Sequence, residues 1–454
     1  MNGIRMSVGT VLVGAVVLGS RCGLAADSVT NKLDELDQKV KALERRLQGT
    51  DETAGAKPSD AVVAKAGKDG FSLSSADKAF QLKIRGYVQA DGRFYLNDEQ
   101  DKVSDTFLLR RVRPIFDVTT YSDFAYRFAP DFGGSSPTIQ DAYADYLANP
   151  AFNVRGGKFK VPFCLEFLQT DCEMFFGERG LPNQLSPNRD VGVEAYGSAV
   201  SGAVTYAVGV FDGAADGGNT DTDNNDEKDL AARLFLHPFR VTDLAALQNL
   251  GVGMAATLGN ERGTAASSSL PTLKTSGQQA FFSYKSSTNA NGTAYANGNH
   301  VRLSPQAYYY AGPFGLLAEY VRSSQDVADG KNNATLDNTA WQVQAGVVLT
   351  GEKASYNDVT PRANFAPSKG TWGAFELVGR YGELTVDNAA FATFADSAKS
   401  ASAAKTWAIG LNWYLSRSVK LLLDYDQTAF TGGAAKGADQ PDEKLLLCRA
   451  QFTF

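Results

Sequence analysis

The stretch EKLLLCRAQFTF at residues 443–454 decides the fold, because apolar and polar side chains alternate along it. One face of a strand with this sequence is apolar and ends at Phe454, whereas the opposite face carries Arg449, Gln451 and Thr453. An apolar row towards lipid, a polar row towards a water-filled interior and a terminal aromatic ring are typical of the closing strand of a transmembrane β-barrel. Phe454 also resembles the signal that the barrel-assembly machinery of bacterial outer membranes recognises.

The composition of the chain agrees with a barrel and argues against several other classes. Hydrophobic residues make up 43% of the 454 residues, and the mean hydropathy is −0.23. Beyond the N-terminus, no apolar run reaches the roughly 20 residues that a membrane-spanning helix needs. The formal net charge of −6 argues against nucleic-acid binding. The only histidines are His237 and His300, so we expect no catalytic residues, no metal site and no cofactor.

The N-terminal segment has the pattern of a targeting signal. Arg5 precedes a short apolar run at residues 8–19, and Ala25 with Ala26 offers a small-residue cleavage site. We therefore expect residues 1–26 to be a signal peptide, as an exported protein requires.

Residues 27–48 are predicted to form a short periplasmic coiled-coil helix, which a polar linker at residues 49–78 joins to the rest of the chain. Apolar residues recur at alternating spacings of four and three, which places them on one seam of the helix. Opposite charges at the flanking positions favour a parallel partner. The alternative is a single amphipathic helix on a surface. The seam consists of Val29, Leu33, Leu36, Val40, Leu43 and Leu47.

From residue 79 the period of the hydrophobic pattern changes to two. We therefore predict an all-β domain at residues 79–454, a transmembrane β-barrel of about sixteen antiparallel strands. A soluble sandwich strand also alternates, but so many charges on the polar face are explained better by a water-filled lumen. The predicted strands are 80–94, 106–119, 122–132, 138–148, 151–161, 190–199, 202–211, 229–238, 250–260, 299–311, 313–323, 339–350, 372–384, 403–415, 418–429 and 444–454.

The links between these strands are alternately short and long. Up-and-down barrels have short periplasmic turns and long external loops, so this alternation favours a barrel over a sandwich or a propeller. Residues 324–338 are one of the predicted long links, and residues 351–371 are an exception because they lie on the side of the short turns. A weaker strand candidate at 277–285 would make the count odd, so we assign it to a loop.

The 28-residue link at 162–189 is long and partly apolar, which suits packing inside the barrel as a constriction loop. The alternatives are an external lid and a loop that contacts a neighbouring subunit. Cys164 and Cys172 would either form a disulfide within this loop or remain unpaired. The residues expected at the constriction are Phe167, Cys172, Glu178 and Arg179.

Basic residues on the polar faces of the first two predicted strands would form a stripe in the pore. Basic side chains that line a pore raise the local concentration of anions, and arginine can hold phosphate oxygens in a bidentate way. The alternative is that these charges only pair with Asp91, Asp117 and Asp131 in a solvated lumen. The residues predicted to form the stripe are Lys83, Arg85, Arg93, Arg110, Arg111 and Arg113.

Several long stretches carry a family resemblance. They include DKAFQLKIRGYVQADGRF (77–94), LRRVRPIF (109–116), GERGLPNQLSPNRDVGVE (177–194), WGAFELVGRYGEL (372–384) and LNWYLSRSVKLLLDY (411–425). With these stretches, the chain resembles the phosphate-selective porin O/P family over essentially the whole predicted barrel. The resemblance implies a sixteen-stranded barrel, a homotrimer and, in the best-known members, a channel for phosphate or polyphosphate.

The resemblance also implies roles for particular residues. Arg110 and Arg111 match the arginine pair that helps to form the anion pathway in phosphate-selective members. Lys83 matches a basic position of that pathway, and Asp131 matches an acidic residue near the binding zone.

Tyr87 stands where phosphate-selective members have an arginine, a change for which Arg85 could compensate. Two further departures from the family pattern weaken the expectation of tight phosphate binding. Cys172 stands where those members place a central lysine. The loop 261–298 lacks their run of alternating arginines.

Together, these features predict a bacterial outer-membrane porin for passive diffusion of small solutes, with a preference for anions such as phosphate or pyrophosphate. The expected partners are outer-membrane lipid, small anionic solutes, further copies of the chain in a homotrimer and the barrel-assembly machinery. The alternatives are a weakly selective general porin for organic solutes and a structural or adhesive barrel with a plugged lumen. An enzyme is not expected.

Overall fold

The computed structural model describes residues 38–41, 62–67, 70–96, 103–221, 225–287 and 292–454. The chain falls into two units, Met1–Ala61 and Val62–Phe454. In the first unit only residues 38–41 are described, and they are helical, with Val40 exposed. The predicted signal peptide at 1–26 and the rest of the predicted coiled coil at 27–48 lie outside the described residues.

Sixteen strands of the described chain form one closed antiparallel barrel, because the last strand pairs with the first barrel strand. Thr453 lies opposite Tyr87 at one end of this closing pair, and Leu445 lies opposite Tyr95 at the other. Closure gives each barrel strand a hydrogen-bonded neighbour on both sides, which a sheet in lipid requires. The prediction of an all-β barrel of about sixteen strands is confirmed.

The strands of the described chain are β1 (Val62–Gly67), β2 (Gly70–Ser75), β3 (Phe80–Tyr95), β4 (Thr106–Thr120), β5 (Phe124–Asp131), β6 (Thr138–Asn149), β7 (Phe152–Lys160), β8 (Arg189–Ala199), β9 (Val204–Phe211), β10 (Asp229–Leu236), β11 (Leu250–Arg262), β12 (Thr272–Lys274), β13 (Ala280–Ser283), β14 (Tyr295–Ala311), β15 (Phe314–Ala328), β16 (Asn333–Val348), β17 (Ala374–Thr385), β18 (Ala401–Tyr414), β19 (Val419–Gly432) and β20 (Glu443–Thr453). The barrel consists of β3–β11 and β14–β20.

Helical segments of the described barrel unit are short. Leu165–Leu168 and Ala390–Thr393 are α-helical, and single 3-10 turns lie at Leu181–Leu185, Val200–Gly202, Ala245–Leu247, Pro367–Lys369 and Ala435–Gly437. Among the described residues, no helix has the length and apolar content that crossing a membrane would need.

Side chains alternate between the lumen and the outer surface, since successive residues of a strand point to opposite faces. On β16, Gln342 and Gln344 are buried inside the barrel, whereas Trp341 and Val343 are exposed on its outside. A polar interior within an apolar outer surface is stable in lipid rather than in water. The outer face of the barrel therefore faces the membrane.

Each of the sixteen predicted barrel strands corresponds to an observed one, but the predicted long link at 324–338 is wrong. β15 and β16 continue through it to a tight turn, in which the Asp329 N–H donates to the Asn332 carbonyl at 3.1 Å. The outer face is polar here, where Arg322 pairs with Asp337 at 2.9 Å. The alternation typical of a strand could not be recognised here, because both faces are polar. This part of the sheet lacks the apolar row that marks contact with lipid.

A β-hairpin formed by β1 and β2 extends the start of the barrel wall. Phe71 of β2 lies opposite Ile84 of β3, beyond the point at which β20 ends. Gly70 begins β2 with a φ of 89°, in the left-handed region that favours glycine. The linker prediction for 49–78 is therefore wrong for residues 62–75, whose alternation is too short to be separated from a polar link, and residues 49–61 lie outside the described residues.

The weak strand candidate at 277–285 is not part of the barrel, in agreement with its assignment to a loop. β13 pairs only with β12, in a separate two-stranded sheet. Leu273, Phe281 and Phe282 of this small sheet are buried in one cluster with Phe163. The link between β11 and β14 therefore folds into the barrel and packs against the link between β7 and β8.

Leu423 allows the position of the lipid-facing belt to be tested. Leu423 of β19 lies opposite Cys448 of β20, and its side chain is exposed on the outer face. We expect Leu423→Arg to lower the free energy of unfolding in bilayers by about 2–4 kcal/mol, because the charge loses its hydration near the mid-plane.

The matched control is Gln427→Arg, on the same face of β19 but further towards its end, where an arginine should cost about 0–1 kcal/mol. Urea titration of the folded barrel in lipid vesicles measures both values. Equal costs for the two substitutions would contradict the assigned belt.

Candidate solute pathway

The link between β7 and β8, residues 161–188, folds into the barrel, and we call it the inward loop. Its backbone is bonded to lumen-facing side chains of the far wall. Glu319 of β15 accepts a hydrogen bond from the Leu165 N–H at 2.8 Å, and Asp424 of β19 accepts one from the Gly177 N–H at 2.7 Å. The alternative of an external lid does not fit these contacts.

Aromatic side chains of the inward loop fit against a flat part of the barrel wall. The Phe175 ring lies over two glycines of neighbouring strands: a Cβ atom would come within 2.9 Å of that ring at Gly315 and within 2.8 Å at Gly346. Phe163 and Phe176 are almost completely buried. Burial of such side chains stabilises the seated loop by about 1.5–3 kcal/mol each.

Glu178 of the inward loop is surrounded by guanidinium groups from three strands. Arg110 of β4 binds it in a bidentate way, Nε to Oε1 at 2.6 Å and Nη2 to Oε2 at 3.1 Å. Arg93 of β3 and Arg449 of β20 donate to Oε1 at 2.9 Å and 3.1 Å. Burial alone would raise the pKa of Glu178, but Arg110, followed by Arg111 and Arg449, holds that pKa well below its usual range. Glu178 is therefore an anion bound by the barrel wall.

Asp171 forms a second ionic centre in the same loop. Arg113 of β4 donates to its Oδ2 at 2.6 Å, and Tyr87 of β3 donates to the same oxygen at 2.8 Å. The Arg179 guanidinium lies 2.7 Å from Oδ1, and that of Arg111 lies 3.5 Å from it. Burial opposes the ionised form, yet the three arginines hold the pKa of Asp171 well below its usual range.

The predicted basic stripe exists, but most of its charges are already paired. Arg85 pairs with Asp117 at 2.7 Å, and Arg113 pairs with Asp131 at 2.6 Å, as the alternative interpretation expected. Lys83 is exposed and forms no ion pair with the described part of the chain. The remaining stripe residues, Arg93, Arg110 and Arg111, face carboxylates of the inward loop.

The loop carboxylates were not predicted as partners of the stripe. Glu178 is 68 residues from Arg110, and Asp171 is 58 residues from Arg113. No local pattern relates positions so far apart, because the contact exists only once the loop has entered the barrel.

The other predicted constriction residues lie deep in the inward loop. The Phe167 ring contacts two guanidinium groups, of Arg179 at 4.6 Å and of Arg189 at 5.4 Å from its centroid. Cys172 and Cys164 are both buried and both free, so the unpaired alternative holds. Cys164 instead donates its thiol hydrogen to Glu319.

Two cavities lie on either side of the inward loop. The outer cavity, about 490 Å³, opens towards the long loops and is lined by Arg110, Arg179 and Glu178. The inner cavity, about 630 Å³, opens towards the short turns. Arg113, Asp171 and Arg189 line both cavities, so these residues lie between the two spaces.

Cationic side chains outnumber acidic ones in the lining of the inner cavity by seven to three, and Asp117, Asp131 and Asp145 pair with four of the seven from outside the lining. Only two of the seven cations belong to the predicted stripe. Arg127, Arg155 and Arg233 lie on lumen faces of strands beyond the first two, where strand alternation would have found them, whereas Lys160 and Arg189 lie at the ends of β7 and β8. The cations are Arg85, Arg113, Arg127, Arg155, Lys160, Arg189 and Arg233, and the acids are Asp141, Asp171 and Glu194.

Two of these cations have no carboxylate partner within the described residues. Arg233 donates from Nε to the Gln306 side chain at 3.0 Å. Lys160 donates to the backbone carbonyls of Phe167 at 2.8 Å and Gln169 at 2.6 Å. The charge of the Arg233 guanidinium is therefore not neutralised and adds to the potential in the inner cavity.

A third cavity, about 580 Å³, adjoins the inner one through Arg85 and Arg127, and we call it the mouth cavity. Lys83, Asp358 and Glu173 also line it. Burial raises the pKa of Asp358 to about 6.

A closed barrel of sixteen strands with an apolar outer belt, an inward loop and charged cavities on both sides of that loop defines an outer-membrane porin. The chain belongs to the phosphate-selective porin O and P family, whose model matches residues 80–454. Porin O of Pseudomonas aeruginosa is 24% identical over 421 residues, which cover 85% of this chain and 91% of that protein. The resemblance seen in the sequence is confirmed, and it places the chain in the bacterial outer membrane.

Solved structures share the fold at much lower sequence identity. The outer-membrane channel DcaP of Acinetobacter baumannii is 12% identical, with a TM-score of 0.54, and the match covers 83% of this chain and 98% of that chain. OmpT of Vibrio cholerae is 13% identical, with a TM-score of 0.52 and the same coverage of both chains.

The packing of the Phe175 ring against the barrel wall can be tested by adding a side chain at Gly346, which the ring covers. We expect Gly346→Leu to destabilise the barrel by about 1–3 kcal/mol, because the new side chain overpacks the lumen against the Phe175 ring. Thermal unfolding in detergent measures the effect. Ala345→Leu is the matched control, since Ala345 is the exposed neighbour on the lipid side, and it should be nearly neutral. An equal loss in both variants would contradict the seating of the loop on this wall.

Proposed function

We propose that this porin conducts small anions passively, and that phosphate-like oxyanions are among its solutes. The observation that carries the proposal is the excess of cationic side chains in the inner cavity. Positive charge in a narrow, low-dielectric channel raises the local concentration of anions and lowers their barrier to entry. The family name supports oxyanions as the solute class. We propose no catalytic activity.

The proposed pathway runs from the outer cavity to the inner one. An anion first meets Arg110 and Arg179 and then passes the junction at Arg113 and Arg189. It next enters the inner cavity, where Arg233 is not neutralised. The inward loop would set the width of this path, because its residues line both cavities.

We propose that phosphate binds weakly, because this chain lacks basic groups that would strengthen the binding. Tyr87 and Cys172 occupy two positions at which phosphate-selective members have cations, and the Tyr87 hydroxyl donates its hydrogen to Asp171 instead. Glu178 occupies the bidentate fork of Arg110. A phosphate oxygen would have to displace a protein carboxylate to bind these arginines.

We further propose a homotrimer with the N-terminal segment in the periplasm. OmpT of Vibrio cholerae, which shares the fold with a TM-score of 0.51, has been solved in a trimer form. The heptad seam predicted at 27–48 has charges that favour parallel self-association, which a trimer would bring about. Outer-membrane lipid and the barrel-assembly machinery would be the other partners.

A weakly selective porin for organic solutes is the second candidate, because the arginines nearest the constriction are paired with acids. Zero-current potentials across planar bilayers in a salt gradient decide between the two. We expect an anion-selective potential, and chloride current that millimolar phosphate partly blocks. A cation-selective potential would contradict the proposal, and current that phosphate does not affect would favour the second candidate. Absence of any current would favour the structural barrel.

Asp358 should make the selectivity depend on pH. Since the pKa of Asp358 is raised to about 6, this residue of the mouth cavity is mostly neutral at pH 5 and mostly ionised at pH 7. A negative charge at the mouth lowers the local concentration of anions. We therefore expect anion selectivity to be higher at pH 5 than at pH 7.

Asp358→Asn should reduce this pH dependence and retain at pH 7 the higher selectivity seen at pH 5. Zero-current potentials at both pH values measure it. An unchanged difference between the two pH values in the variant would show that other groups cause the effect.

A further inference from the structure

We propose that Glu178 and Asp171 are resident anions, carboxylates of the protein that occupy the arginine cluster of the pore and thereby weaken its binding of solute oxyanions. They would be residues that determine specificity. The inference rests on the anion conduction proposed above, and it adds the residues that limit affinity.

Positive charge is dense around the two carboxylates. Within 4 Å of them lie six guanidinium groups, contributed by three strands and by the loop itself, among the described residues. Guanidinium groups gathered around acidic oxygens have the composition of an oxyanion site. The six arginines are Arg93, Arg110, Arg111, Arg113, Arg179 and Arg449.

The loop carboxylates and a solute oxyanion are chemically equivalent ligands for arginine. A carboxylate and a phosphate each offer a pair of oxygens at the spacing of the guanidinium fork, so both bind arginine in the same bidentate way. Glu178 makes this contact with Arg110 through both of its oxygens. The loop carboxylates and a passing oxyanion therefore compete for the same donors, and the tethered groups have the advantage of a high effective concentration.

The seating of the loop does not depend on these ion pairs alone. Glu166 of the same loop is held by neutral amides, since Gln342 and Gln344 each donate to it at 2.8 Å. Lys420 donates to the Met174 carbonyl at 3.0 Å. The loop backbone and Glu166 are thus anchored without ion pairs, whereas the ion pairs of the loop, among the described residues, are those of Asp171 and Glu178, which both line the outer cavity.

The test compares Glu178→Gln and Asp171→Asn with the wild type in planar bilayers. Both substitutions keep shape and remove the charge, which frees guanidinium hydrogens for the solute. We expect the phosphate concentration that halves the chloride current to fall by at least about tenfold in each variant, as freed charge-assisted hydrogen bonds would produce.

The matched control is Glu173→Gln, which removes the same charge from the same loop. Glu173 lines the mouth cavity and pairs with no arginine in the described residues. We expect it to change the half-blocking concentration by less than about twofold, as a general electrostatic effect would. A shift in Glu178→Gln and Asp171→Asn that is no larger than in this control would overturn the inference.

The outcomes separate this inference from the proposed function. Cation selectivity of the wild type would overturn anion conduction, whereas a wild type that selects anions without a difference between variants and control would overturn only the resident anions. Chloride conductance near the wild-type value shows that a variant has folded. If neither charge-neutral variant yields channels, the carboxylates are structural and the inference is also wrong.

Discussion

Backbone hydrogen bonding in lipid is the constraint on which the rest of this structure depends. A strand in the bilayer has no water to satisfy its N–H and C=O groups, so each strand needs a neighbour on both sides. The pairing of β20 with β3 meets this need by closing the sheet. Closure creates an inside and an outside, and strand alternation then sends polar side chains to the one and apolar side chains to the other.

The polar interior in turn governs the inward loop. A loop inside a barrel must bury its own charges, and buried charges are tolerated only when they are paired and hydrogen-bonded. Glu178 and Asp171 meet this condition with arginines from β3, β4 and β20. The same arginines are the groups that would attract anions. One set of side chains therefore both holds the loop in place and selects the solute.

In the inner cavity, not every cation is paired with a carboxylate. Arg233 binds a neutral oxygen of the Gln306 side chain and therefore keeps its net charge. Positive potential is thus retained on the periplasmic side of the loop, while near the constriction carboxylates moderate it. A gradient of this kind attracts anions without holding them tightly, as passive conduction requires.

The amino-acid sequence by itself determined the barrel, the positions of its strands and the unusual length of the link after β7, because a period of two with charged polar faces reports directly on the two environments of each strand. The hairpin at 62–75 and the polar ends of β15 and β16 were missed, since no apolar row marks them. Only the tertiary structure decided which charges meet. Arg110 was expected to face solute, and it instead binds Glu178, 68 residues away, because the side chain that neutralises a lumen arginine is set by the path of a folded loop and leaves no local trace in the sequence.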